Sequence, residues 1–306
     1  MRIVVTGSCG FVASHVLPLL GGHRVVGVDS LDERVHPTVE MPAWTPDHTI
    51  VVCDYADTQA AYEGADAVIH LAAQVSVADS MVDPLRYVEQ NTLGTARMLE
   101  NLPSTVTRLI VASSMSVYGE GGTQIAEEAP VKPASIYGLT KYDQEQLCLL
   151  WGLRNNIPVT ALRFFNIYGP NQSLTNSYTG VLANFATRLL NNEQPLVFED
   201  GQQTRDFIAV EDVARAVAMC ALQPVPSHGV FNVCTGEATS ILQAAWHLAQ
   251  ALGKKDLVPH VTNEYRKGDI RHCTGNPSKI KGAIGWEPRV PFSEGIKLYG
   301  KWLLNQ

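Results

Sequence analysis

No run of Lys or Arg, no long apolar stretch and no pair of closely spaced cysteines occurs in this chain of 306 residues. Each absence removes a class of function. Without clustered cations, and with a formal net charge of -7, the chain has no electrostatic grip on a nucleic-acid backbone or an anionic membrane. No stretch approaches the roughly 20 apolar residues that span a bilayer, and no charged-then-apolar segment opens the chain, so a cytoplasmic location is expected. The cysteines, Cys9, Cys53, Cys148, Cys220, Cys234 and Cys273, stand singly, without C-x-x-C spacing or a nearby His. Neither a metal site nor a disulfide framework is expected of them, and they read as small buried hydrophobes.

What is present is a composition of 45% hydrophobic and 17% charged residues, that of a compact protein with large buried layers. At this length roughly 75% of the unfolded chain's surface can leave water, enough for one large domain or two that share an interface. The expected partner is a small molecule.

The first 165 residues repeat one rhythm: a short β-branched run, a turn, a helical pattern. Strands are expected at Arg2 to Thr6, Arg24 to Asp29, Thr49 to Cys53, Ala67 to Leu71, Arg108 to Ser113 and Val159 to Arg163. Helices are expected over Pro84 to Asn101 and over Ile136 to Leu153, the latter with Leu139, Leu147 and Leu150 at helical spacing. Alternation of this kind predicts an α/β fold, a doubly wound parallel sheet with helices on both faces. After Arg163 the rhythm breaks into turn-rich segments, helices from about Val181 to Leu190 and Val210 to Leu222, a strand at Val230 to Cys234, and a helix capped by Ser240. The expected division is a dinucleotide-binding domain over 1–165 and a smaller C-terminal lobe over 166–306, with a segment of about 205–236 returning to the first domain.

Two clusters carry chemistry. The first strand runs into Thr6-Gly7-Ser8-Cys9-Gly10-Phe11-Val12-Ala13. Gly7 permits a tight turn, and Gly10 lets a pyrophosphate approach the backbone at the positive end of the following helix. Asp29, closing the second strand, suits the hydroxyls of an adenosine ribose and repels a 2'-phosphate, which favours NAD over NADP. Asp54, just past the third strand, is either an adenine contact or a turn residue. The second cluster is Tyr137-Gly138-Leu139-Thr140-Lys141, which sets a phenol and an ammonium on one helix face. A phenol with a pKa near ~10 is a poor base at neutral pH, and a fixed cation beside it stabilises the phenolate. Lys141 would also orient a nicotinamide ribose. Ser114, at the carboxyl edge of the fifth strand, brings a hydroxyl to the same place.

With His70-Leu71-Ala72-Ala73, Asn91-Thr92-Leu93-Gly94-Thr95, Leu162-Arg163-Phe164-Phe165-Asn166-Ile167-Tyr168-Gly169-Pro170, Gly201 to Phe207, Arg266-Lys267-Gly268-Asp269 and Gly285-Trp286-Glu287-Pro288, the chain resembles the extended short-chain dehydrogenase/reductases over nearly its whole length. Within them it is most similar to the NAD-dependent nucleotide-sugar epimerases and dehydratases, in particular the 4-epimerases of UDP-glucose and UDP-N-acetylglucosamine. The resemblance implies a Rossmann domain and a catalytic triad of Ser114, Tyr137 and Lys141, with Tyr137 as base. It implies tightly held NAD contacted by Gly7, Gly10, Phe11, Val12, Asp29, Asp54, Tyr55, Leu71, Ala72, Ala73, Asn91 and Phe164 as well as by Tyr137 and Lys141. It also implies a nucleotide sugar held by Ser114, Ser116, Asn166, Val181, Arg205, Arg266, Asp269 and Cys273, and a homodimer joined through the two long helices.

By the same resemblance the reaction is epimerisation through a transient 4-keto sugar. The 4,6-dehydratases and decarboxylases of the family carry acids just after the catalytic hydroxyl, where this chain has Met115 and Ser116. The 3,5-epimerases carry a Cys in that loop, also missing here. Cys273 falls at the family's gate position, where a small residue admits a 2-acetamido group. Asn166 and Ala78 argue against a uronate. Open alternatives are another NAD-dependent nucleotide-sugar reaction, such as uronate epimerisation, dehydration or 4-ketosugar reduction, and a non-catalytic NAD sensor. Departures from the family pattern are Ser8-Cys9 for Gly-Ala, Ala13 for the third Gly, Ala78-Asp79 for a basic pair, and Asn276 for Asp.

Overall fold

The computed structural model describes residues 1–32, 48–174, 180–265 and 270–306. Its frame is a sheet of seven parallel strands: β1 (Arg2–Thr6), β2 (Arg24–Asp29), β3 (His48–Val52), β4 (Ala67–His70), β5 (Arg108–Ser114), β6 (Val159–Phe164) and β7 (Gly229–Val233), in the spatial order β7-β6-β5-β4-β1-β2-β3. The β-branched, nearly continuous apolar runs of the inner strands are what a sheet covered on both faces requires, and the middle residues of β1, β4 and β5 are buried. The α/β doubly wound sheet is therefore the observed fold. The order reverses between β1 and β4, opening a crevice at the carboxyl ends of the strands where ligands of such sheets bind.

Two apolar layers cover the sheet. On one face lie the helix Phe11–Val16, the 3-10 turn Leu17–Leu20 and the helix Val210–Leu222, packed through Val16, Leu20, Val213 and Val217, with Trp286 fully buried among them. On the other lie Tyr62, Met98 and Leu99 with the inner edge of the helix Ile136–Asn155. That helix departs from an ordinary amphipathic pattern. Its buried face carries Thr140, Lys141, Gln144, Glu145 and Cys148, while Leu139, Leu150 and Leu153 are exposed. Pro84 to Asn101 is helical throughout but interrupted by a π-helical stretch, Val88–Leu93, which turns Asn91 inward.

The second lobe has its own core, built from the helices Val181–Leu190, Ile241–Ala251 and Phe292–Leu303 around Phe185, Leu189, Leu248 and Tyr299. Ser240 caps the second of these in a reciprocal capping box with Gln243. The lobe's sheets are short and drawn from distant segments. Gly122–Ile125, His272–Gly275, Thr204–Arg205 and Thr239–Ser240 form one of four strands, while Asn166–Tyr168 pairs with Phe207–Ala209 and Leu196–Val197 with His260–Val261. These strands, and the helices Ser278–Ile284 and Phe292–Leu303, lie beyond the elements read from the sequence, because two- to four-residue strands have too few positions to show a period.

Candidate active site

The glycine turn follows β1 directly. Gly7 has φ +69°, and a Cβ there would lie 2.8 Å from the Ala72 backbone nitrogen, so the turn tolerates no side chain. Its N–H donates to the Val28 carbonyl at 2.9 Å, and the Gly10 N–H to the Gly7 carbonyl at 3.0 Å, which lays the turn across the ends of β1 and β2. Phe11 and Val12 open the helix that follows, with Ala13 buried on the sheet. Asp29, at the end of β2, anchors this turn: its Oδ2 accepts from the Cys9 N–H at 2.9 Å and its Oδ1 from the Leu31 N–H at 2.9 Å.

Other residues expected around a dinucleotide line the same sheet edge. Leu71, Ala72 and Ala73 continue β4, with the Leu71 N–H donating to the Thr6 carbonyl at 3.1 Å. Asn91 is fully buried; its Oδ1 accepts from the Gln74 N–H at 2.8 Å, and its Nδ2 donates to the Gln74 carbonyl and to Thr140 Oγ1, each at 3.0 Å. The side chain thus holds the loop after β4 against the Tyr137 helix. Phe164 ends β6 and joins the core beneath the edge. Asp54 accepts from the Ala56 N–H at 2.9 Å, the turn reading of this residue, and the Tyr55 phenol is turned inward to donate to the Gln90 carbonyl.

Ser114, the last residue of β5, meets Tyr137 across this edge. The Ser114 Oγ accepts from the Ser116 N–H at 3.1 Å and lies close enough to the Tyr137 phenol to favour its ionised form. The approach depends on Gly138, where a Cβ would come within 2.6 Å of the Ser116 carbonyl oxygen. Burial pushes the Tyr137 phenol up, opposed by the Ser114 hydrogen bond. Lys141, one turn further along, is pushed down to about 7 by burial, and its Nζ donates to Gln144 Oε1 at 2.6 Å. The lowering of Tyr137 that the sequence pattern suggested from Lys141 is not a feature of this arrangement, in which the ammonium is drawn onto Gln144.

The residues expected to hold a nucleotide sugar come largely from the short strands beyond the large sheet. Asn166 leads into the strand beside Phe207–Ala209, and its Oδ1 is buried without a hydrogen-bond partner among the described residues. Arg205 is buried, with Nη1 donating to the Thr204 carbonyl at 2.9 Å, and lies in register with Cys273 on the neighbouring strand. Cys273 is fully buried, its Sγ 3.2 Å from Met115 Sδ, on the residue after Ser114. A surface ion pair between Arg205 and Asp206 does not form. The Asp206 carboxylate points inward, accepting from the Thr235 N–H at 2.8 Å, the Gly236 N–H at 2.9 Å and the Gly275 N–H at 3.2 Å. Val181 opens its helix against the lobe core. Arg266 and Asp269 lie outside the described residues.

Two residues without a role in the sequence reading stand out. Glu145 and Arg163 form a buried bidentate pair, Nε to Oε2 at 2.9 Å and Nη2 to Oε1 at 2.6 Å, and Ser113 donates to the same carboxylate at 2.7 Å. The pair locks β5, β6 and the Tyr137 helix together directly below the site. Only its total burial distinguishes it, and burial is what a sequence of charged residues on a helix conceals.

A tight positive-φ glycine turn that a Cβ would fill, a helix opening behind it and a buried amine at the far end of the same edge fit a dinucleotide. Comparison with known proteins settles the kinship. The chain matches the NAD-dependent epimerase/dehydratase family over residues 3–234. It belongs to that family. It is 30% identical to a dTDP-L-rhamnose 4-epimerase of Burkholderia thailandensis, a match covering 100% of this chain and 95% of that protein. Among solved structures, a UDP-N-acetylglucosamine 4-epimerase from Methanobrevibacter ruminantium, in complex with UDP-N-acetylmuramic acid, superposes with a TM-score of 0.90 at 30% identity, over 100% of this chain and 98% of that one. A UDP-glucose 4-epimerase of Thermotoga maritima with UDP-glucose superposes with a TM-score of 0.89 at 31% identity, over 100% and 99%. Among the described residues no cluster of His, Cys, Asp and Glu could hold a metal, and no helix is long and apolar enough to cross a membrane.

Proposed function

We propose that this member of the epimerase/dehydratase family is a nucleotide-sugar 4-epimerase with resident NAD. The observation that carries the reading is the meeting of Ser114 with Tyr137 at the carboxyl edge of β5, with Lys141 one turn along the same helix. The chemistry that NAD supplies when bound is reversible hydride transfer at the sugar C4. Tyr137 takes the proton of the 4-hydroxyl and returns it to the epimer, and Ser114 holds that oxygen by a hydrogen bond. Lys141 would donate to the ribose next to the nicotinamide. Gly7, Gly10 and the helix behind them receive the pyrophosphate. Asn166 and Arg205, with Arg266 and Asp269, hold the sugar nucleotide.

The segment after Ser114 favours epimerisation over elimination. Met115 is packed on Cys273 and Ser116 follows it in a 3-10 turn, so the loop offers no acid to expel water from the sugar. The substrate we assign is UDP-glucose/galactose or UDP-N-acetylglucosamine/galactosamine, a bulky side chain being absent at Cys273, beside Met115. UDP-glucose carrying deuterium at C4 tests the reaction: an epimer that keeps its deuterium at C4, with no net reduced nucleotide, is expected. Washout of the label or accumulation of a keto or reduced product contradicts it.

The protein is further read as a cytoplasmic homodimer. The helices Pro84–Tyr87 and Ile136–Asn155 expose Leu85, Leu150 and Leu153 at 64%, 61% and 74%, a leucine-rich surface that a second copy would cover. Leu150→Glu is expected to shift the sedimentation of the purified protein to that of a single chain, and an unchanged value removes this interface.

A further inference from the structure

Lys141 is held by a residue with no assigned role. Gln144 lies one turn beyond it on the same helix and is fully buried, so both ends of its amide require partners. An ammonium can only donate. It therefore takes the Gln144 carbonyl oxygen, at 2.6 Å, and turns the amide NH2 toward the sheet, where Nε2 lies 2.8 Å from Thr95 Oγ1, 3.0 Å from His70 Nε2 and 3.4 Å from the Ala72 carbonyl oxygen. Thr95 spends its own proton on the Asn91 carbonyl at 2.6 Å, so it accepts from Gln144. His70 Nε2 lies 3.0 Å from the Gln144 amide nitrogen and 3.0 Å from Thr95 Oγ1, so the ring packs on this network as either neutral tautomer. Its Nδ1 shares a hydrogen bond of 2.7 Å with Thr6 Oγ1, on the residue that precedes Gly7. Burial and the charge of Lys141 push His70 down to about 3, which keeps the ring neutral.

We infer that Gln144 is the positioning residue of the Lys141 amine, the first link in a hydrogen-bonded chain Lys141–Gln144–His70–Thr6 that ties the nicotinamide end of the site to the glycine turn. The inference rests on the proposed cofactor role of Lys141 and adds a residue to it. A buried ammonium with a fixed acceptor keeps its proton more readily than one without. Gln144 thus both aims the amine and sets the pH range in which it is charged. The ionisable groups facing Lys141 are Tyr137, Glu145 and Cys148 on its own helix and His70 from β4, with Tyr55 behind His70 at a ring separation of 5.0 Å. Of these only His70 touches Gln144, and it is held as well by Thr6 and Thr95.

The test is the affinity for NAD, followed by fluorescence titration of the full chain stripped of its resident NAD, between pH 6 and 9, in the wild type, Gln144→Met and Gln144→Glu. Met keeps the length and loses both hydrogen bonds, whereas Glu keeps the acceptor for Lys141 and adds charge. Affinity is expected to fall with rising pH as Lys141 loses its proton. The midpoint should move about one unit down in Gln144→Met and at least as far up in Gln144→Glu. In Gln144→Met, kcat should drop about a hundredfold with the sugar-nucleotide KM little changed, as expected for a misplaced amine. Coincident midpoints, or midpoints displaced in the same direction, overturn the proposal, since a packing role would lower affinity without ordering the variants. If Gln144→Met does not fold, the displacement of Gln144→Glu from the wild type decides alone. Should the wild type bind NAD but epimerise nothing, the reaction assignment fails while the order of the NAD midpoints still stands or falls on its own.

Discussion

On the dinucleotide side of the crevice, the site residues stand at the ends of adjacent strands of one sheet or on the helix beside them, and their polar atoms are spoken for. Asn91 and Asp29 have hydrogen-bond partners from other elements, and Lys141 has Gln144 on its own helix. On the sugar side, Asn166, Arg205 and Cys273 come from short strands of three different segments, and the Asn166 Oδ1 is buried without a partner among the described residues. One wall is a finished scaffold that positions chemistry. The other is an assembly of loop-like strands that can be altered without touching the sheet, which is how one fold serves many substrates.

Substitutions can break this comparison or sharpen it. The largest effect is expected from Tyr137→Phe, which removes one oxygen from the prebuilt wall. We expect kcat to fall about 10³-fold with little change in melting temperature, measured by steady-state epimerisation and calorimetry. Next is Arg163→Leu, which leaves Glu145 buried without its partner. Urea unfolding should show a loss of about 3–5 kcal/mol, the cost of orphaning one member of a buried pair. A change confined to the second lobe should produce nothing comparable.

The third prediction concerns pH. Lys141 is pushed down to about 7 in the folded chain from an ordinary 10.5, so the unfolded chain binds more protons between those values. This group's contribution to stability therefore rises with pH across that window and is at its least favourable below about 7. Stability of the wild type relative to Lys141→Met should climb from pH 7 toward pH 10 in urea titrations. A flat difference would show that the amine is solvated rather than buried. The smallest effect belongs to the sugar wall. Cys273→Tyr should lower kcat/KM for UDP-N-acetylglucosamine about ten- to a hundredfold relative to UDP-glucose. Equal losses on the two sugars would remove Cys273 from substrate choice.

The difference between the walls also explains how far the sequence could be read. The strands of the large sheet are long enough and apolar enough to show themselves, and the glycine turn and the Tyr137/Lys141 pair depend on spacings that survive in one dimension. The seventh strand, Gly229–Val233, is equally visible, although its pairing with β6 is a property of the fold. The sugar wall depends on partners far apart in the chain. Gly122–Ile125 pairs with His272–Gly275, a contact that no local pattern announces. The helix Ile136–Asn155 hides its inner face for another reason. Its buried positions are Lys, Gln, Glu and Thr, which read as a solvated surface, while its exposed leucines read as core. Gln144 was invisible on that account, since only the structure shows that its neighbours are His70, Thr95 and an ammonium.

The most direct test of the central claim, that this edge holds NAD ready for 4-epimerisation, is an NMR assay of the purified protein with UDP-N-acetylglucosamine and, separately, UDP-glucose, with no NAD added. Appearance of the epimer at the sugar 4-position from the protein's own cofactor is the predicted result. Absence of any epimer from both sugars, even after NAD is supplied, would contradict it.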